Sequence, residues 1–192
     1  MSTKILIENV RLSYEHVWEA SAIAGSNSGP KFSAVALIPA TDTAMIARVQ
    51  EAINAAYQEG IPKKWGGKAP ATLKNPLVNG DTKDLEKNPE YGGHFYVSAS
   101  NDRQPMIVGR DKQPITDRSL VYSGAICNVL VNFFPYKNVS TGIGCSLLGV
   151  QFVAHGEAFA SNVSTDDFAA LETPATAAFP TLPSNPFGNP PF

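Results

Sequence analysis

Residues 120–159 read LVYSGAICNVLVNFFPYKNVSTGIGCSLLGVQFVAHGEAF, and this stretch limits the possible fold more than any other. Two apolar segments, residues 121–136 and 143–154, flank the polar link KNVSTG. Both are rich in Val, Ile, Leu and aromatic residues and carry no charge, which favours strands over a surface helix. In the first, Ala125, Cys127, Val129, Val131 and Phe133 fall on one face and belong in a core. Tyr122, Asn128, Asn132 and Phe134 fall on the other, with Tyr136 beyond them. That face either offers aromatic rings to a ligand or packs beneath a loop or helix. Two such strands joined by a glycine-containing turn make a long antiparallel hairpin, the expected spine of the domain.

Ahead of the hairpin the chain gives short strands and one helix. Lys4 to Tyr14 is expected to be a strand with Leu6, Val10, Leu12 and Tyr14 on one face. Residues 25–30, GSNSGP, form a turn or flexible loop, and Lys31 to Pro39 a second strand. Thr43 to Glu59 carries the stripe Ile46, Val49, Ile53, Ala56 and Tyr57 at helical spacing, with Thr41 or Asp42 as cap and Gly60 then Pro62 as stop. Tyr91 to Ser100 and Met106 to Val108 are further strands. The two cysteines, Cys127 and Cys145, sit inside apolar strands and are expected to be reduced, buried side chains.

Between helix and third strand lies a long loop, residues 61–90. Loops of this length in compact domains usually carry function. Its first half sets Lys63, Lys64, Lys68 and Lys74 around Trp65, with no acid between Ile61 and Gly80. A flat ring among cations suits a single nucleic-acid strand, which offers bases to stack and phosphates to neutralise. The alternative is a solvated basic loop whose tryptophan tucks onto the body. Arg103, Arg110, Lys112 and Arg118 fall in turns between strands. Asp81, Asp84, Glu86 and Glu90 match no metal-ligand spacing and are expected to be turn acids.

The net charge of −2 hides an asymmetry. Residues 1–137 hold all 15 Lys and Arg against 13 acids, +2, whereas residues 138–192 hold four acids and no Lys or Arg, −4. His16, His94 and His155 are isolated, and no nucleophile elbow, Walker loop or dinucleotide-binding glycine set occurs. No cofactor or metal site is expected, and no apolar run is long enough to suggest a membrane span.

The ordered words YSG, FFPY, GIG and LLGVQ, together with PLVNGD and EYGG upstream, resemble a family of tailed-phage single-stranded-DNA-binding proteins. The resemblance covers roughly residues 4–159. It implies a mainly β, OB-fold-like antiparallel barrel with one inserted helix, residues 1–161, which coats single strands without catalysis in the host bacterial cytoplasm. The expected DNA-binding residues are Lys63, Lys64, Trp65, Lys68, Lys74, Arg103, Arg110, Lys112, Arg118, Tyr122, Phe134, Tyr136 and Lys137. Two other readings stand beside it: a metal-dependent nuclease or junction-resolving enzyme using the acids of residues 81–90, and a phage structural or interaction module.

Residues 162–192 are dominated by Pro, Ala, Ser, Thr and Asn with no cation, the composition of a disordered tail. Its end, NPPF, is similar to the terminal aromatic of single-strand-binding tails, which makes Phe192 the expected contact for replication or recombination proteins. Here the acids lie well upstream of Phe192, unlike the dense acidic tips of such tails.

Overall fold

The computed structural model describes residues 2–22 and 29–159. Its elements run β1 (Lys4–Ser21), β2 (Lys31–Pro39), α1 (Thr43–Lys63), β3 (Leu77–Asn79), β4 (His94–Asn101), β5 (Met106–Val108), β6 (Ile126–Lys137) and β7 (Thr141–Ala154). β1 is antiparallel to both β2 and β6, β2 to β4, and β6 to β7. A parallel bridge between Ser100 and Ser146 joins β4 to β7 and shuts the ring. Five strands thus form a closed barrel, with one helix inserted after the second, as expected for an OB-like fold. The short strands β3 and β5 pair at the margins of β4 and β7.

Alternation decides what fills the barrel. Ala34, Ala36 and Ile38 of β2, Val97 and Ala99 of β4, and Leu147 of β7 point inward and are buried. So are Ala125, Cys127, Val129, Val131 and Phe133, the face expected to be core. Burying each larger aliphatic or aromatic side chain contributes about 1.5–3 kcal/mol. The cysteines are free and buried, and the β6–β7 register sets Cys127 against Phe152 and Cys145 against Phe133, so they do not oppose one another. Burial pushes the Cys127 thiol up to about 12 and raises the Cys145 thiol further.

Several boundaries differ from the sequence expectation. β1 continues to Ser21, and its register slips three times, between Ile7 and Val10, between Ser13 and His16, and between His16 and Ser21. Asn9 and Tyr14 take positive φ, 53° and 44°, in the first two of these irregularities. Ile7 therefore replaces Leu6 in the core, while Tyr14, expected on the apolar face, turns out and is 55% exposed.

The helix also runs further, to Lys63, with Pro62 inside its last turn. Asp42 caps it, accepting from the Met45 amide at 3.0 Å. Gly60 does not stop it. A Cβ at Gly60 would lie 2.6 Å from the Trp65 ring, so the missing side chain is what lets the tryptophan fold back on the helix. Lys64 and Trp65 both donate their amides to the Gly60 carbonyl, at 2.9 and 3.0 Å, which closes the end.

In the expected long loop, β3 pairs with β4, and two 3-10 turns, Gly80–Thr82 and Pro89–Tyr91, follow. β4 accordingly starts at His94 rather than Tyr91, after Gly93 at φ 67°. β6 starts at Ile126 rather than Val121, because Gly124, at φ 110°, donates to the Leu12 carbonyl and turns the chain just before it. Among the described residues no helix is long and apolar enough to cross a membrane. The expected tail and Phe192 lie outside the described residues.

Candidate nucleic-acid interface

Two concave surfaces gather the residue types a nucleic acid needs. The first is a groove of about 380 Å³ on the outer face of β1, β2 and β4, lined by Tyr14, His16, Ser33, Val35, Ser98 and Ser100 among others. The same alternation that sends Ala34 and Ala99 inward sends Ser33, Ser98 and Ser100 outward. The bulge at Tyr14 lifts its ring from the sheet, and its hydroxyl donates to Asn88 Oδ1 at 2.7 Å. Lys31 starts β2 beside the groove, paired with Asp102 at 3.3 Å, and Arg103 stands exposed in the following turn.

The other half of this sheet face is covered. Tyr91 is buried there, edge-on to Tyr96 at 5.0 Å, and Lys83 sits over both rings. Burial pushes the Tyr91 hydroxyl up to about 12. Beside the groove, Glu15 is half-buried. Loss of solvent raises its carboxyl above the ordinary 4.5, opposed by the nearby His16 charge and by hydrogen bonds from Ser123.

The second surface lies at the tip of the β6–β7 hairpin. There a cleft of about 460 Å³ is lined by Lys63, Lys64, Phe134, Tyr136 and Lys137, with Glu59 and Asn138. Lys63 is tied to Glu59 at 3.1 Å, an exposed pair worth little. The Phe134 ring lies over Gly144, where a Cβ would come 2.4 Å from it, and is 40% exposed. Lys74 is docked alongside, its amide donating to the Thr141 carbonyl at 3.1 Å and its carbonyl accepting from Ile143 at 3.1 Å. Lys68 is exposed in the turn after the helix.

The structure brings Lys63, Lys64, Phe134, Tyr136 and Lys137 together, but not the whole expected set. Trp65 is a correction. It is 7% exposed, its indole donates to the Tyr136 carbonyl at 3.3 Å, and its ring meets Tyr57 at 5.6 Å, so it is core rather than a base platform.

Tyr122 is a second correction. It precedes β6 at the hairpin's other end, where its hydroxyl donates to the Gly156 carbonyl at 2.8 Å and its ring stacks on His155. It shares no platform with Phe134 and Tyr136. Arg110 and Lys112 follow β5, which pairs with β7 near Gln151, roughly 30 Å along the strand from Thr141. Arg118 is bound to Glu19. None of these three lines the cleft at the hairpin tip.

Tyr14, His16 and the groove serines were missed by sequence reasoning. The signal was the run S-Y-E-H, four residues without an aliphatic side chain inside the strand. The acids of residues 81–90 do not converge. Asp81 accepts from the Gly93 amide, Asp84 pairs with Lys87, and Glu90 faces Ser13. No group of three potential metal ligands occurs among the described residues.

The family model described as Enterobacter phage Enc34, ssDNA-binding protein matches residues 3–178. The chain belongs to this family. It is 34% identical over 166 residues to protein p50 of Acyrthosiphon pisum secondary endosymbiont phage 1, covering 81% of this chain and 86% of the relative. The fold is similar to the single-stranded DNA-binding protein from bacteriophage Enc34 in complex with ssDNA, with TM-score 0.70 and 23% identity over 82% of this chain and 90% of that one. It is also similar to gp2.5, a single-stranded DNA-binding protein encoded by bacteriophage T7, with TM-score 0.56 and 14% identity over 84% of this chain and 97% of that one.

Proposed function

We propose that this protein binds single-stranded DNA without catalysis and with little sequence preference, in the groove on the outer face of β1, β2 and β4. The observation that carries this reading is the groove itself, open, floored by hydroxyls, and holding an exposed tyrosine on a left-handed bulge. Tyr14 stacks a base, which every base permits, and Lys31 and Arg103 neutralise phosphates at the rim. OB-type barrels take oligonucleotides on this part of the sheet, and the family and structural relatives are described as single-strand binders. Within the phage, such coating serves replication, recombination or repair in the host cytoplasm. Phe192 as a docking point for proteins of those processes rests on sequence alone.

The test is a fluorescence titration with labelled poly-dT, poly-dA and duplex, with and without magnesium. Binding to both single strands with no cleavage is the expected result. Cleavage in magnesium would favour a nuclease, and no binding at low salt would favour a structural module.

A further inference from the structure

The barrel's register aligns one outward residue from each strand into a continuous polar row. His16 pairs with Ser33, Ser33 with Ser100, Ser100 with Ser146, and Ser146 with Asn132. Their neighbours along the strands, Val17, Ala34, Ala99, Leu147 and Val131, are all buried, so the row faces out. None of the five row members is buried. The row begins in the groove beside Tyr14 and crosses β4 and β7 onto β6. Phe134 lies one outward position further along β6, over the small Gly144, and beyond it stand Tyr136, Lys137 and Lys64. Neither Lys64 nor Lys137 is paired with a carboxylate among the described residues.

We infer that a single DNA strand leaving the groove continues along this row and ends on the hairpin tip, where Phe134 stacks a base and Lys64 and Lys137 take phosphates. The two concave surfaces are then one track rather than two sites. This rests on the groove reading above. Four inter-strand steps of about 4.8 Å span roughly 19 Å, room for about four to six nucleotides, at the lower end of what one OB fold occupies. Ser146 suits the middle of the path, since a larger side chain there would lift the strand off the sheet.

The experiment is a length series from (dT)3 to (dT)20 on the full chain, with Tyr14→Ala, Phe134→Ala, the double variant Lys64→Ala/Lys137→Ala, and Ser146→Glu. Thermal unfolding of each variant checks that it is folded. Tyr14→Ala should weaken every length. Phe134→Ala should leave (dT)3 unchanged and weaken (dT)12 roughly tenfold, the loss of one stack. The lysine pair should act only on the longer oligonucleotides, lowering the salt slope by about 1.4, and Ser146→Glu should bring long oligonucleotides down to the affinity of short ones. Folded tip variants that bind (dT)12 like the parent would end the track in the groove, and equal losses at every length would make the tip the primary site. If the parent binds no oligonucleotide at low salt, the groove reading itself falls.

Discussion

Trp65 shows how one side chain can carry the right chemistry in the wrong place. Lysines and glycines around a tryptophan suit a single strand, yet the ring is spent on the helix end, on Tyr57 and on the Tyr136 carbonyl. Trp65→Ala should therefore cost about 3–5 kcal/mol in denaturant unfolding, as other large core truncations do, and leave the affinity of the still-folded protein for (dT)12 unchanged. A second residue-scale prediction concerns Glu15. Its folded pKa is raised by burial above the ordinary 4.5, so the fold favours the protonated acid. That contribution is complete below pH 4.5 and is lost as pH rises through the raised folded value. Glu15→Gln should melt higher than the parent at pH 7, with the difference closing towards pH 4; equal melting points at pH 7 would contradict it.

At the scale of elements, the sequence was most legible where one period held throughout. β5 and the inward face of β6 could be read directly, because alternation follows from a sheet with one face in the core, and β2 kept its expected bounds although Leu37 is buried between Ala36 and Ile38. β1 could not, because Asn9 and Tyr14 each shift the phase, and neither is a glycine that would announce a left-handed turn. The groove inherits that opacity, since its aromatic sits on the second slip. The helix end was hidden for a different reason. Gly60 looks like a stop and is a packing surface. Gly60→Ala tests this, because the two roles give opposite signs. An ordinary helical glycine gains about 1 kcal/mol on becoming alanine. Here the new Cβ would meet Trp65 at 2.6 Å and Pro135 at 2.7 Å, so the variant should lose about 1–3 kcal/mol in urea unfolding.

For the whole molecule the question is how a chain of net charge −2 holds a polyanion. The cations are not massed on one face. Lys31 and Arg103 flank the groove, Lys64 and Lys137 border the tip, Arg110 and Lys112 lie towards the other end of β7, and Arg118 is bound to Glu19. A track through the first two groups engages about four phosphates. Each released counterion contributes about 0.7 to the salt slope on single strands, so log affinity against log salt should fall with a slope near −1.4 for (dT)3 and near −2.8 for (dT)12. Stacking on Tyr14 and Phe134 then supplies the part of the affinity that salt does not touch, which is how a nearly neutral barrel can retain a strand at physiological ionic strength. A slope of −5 or steeper for (dT)12 would require about three further phosphate contacts, at Lys63, Lys68 and Lys74 beside the tip or at cations outside the track.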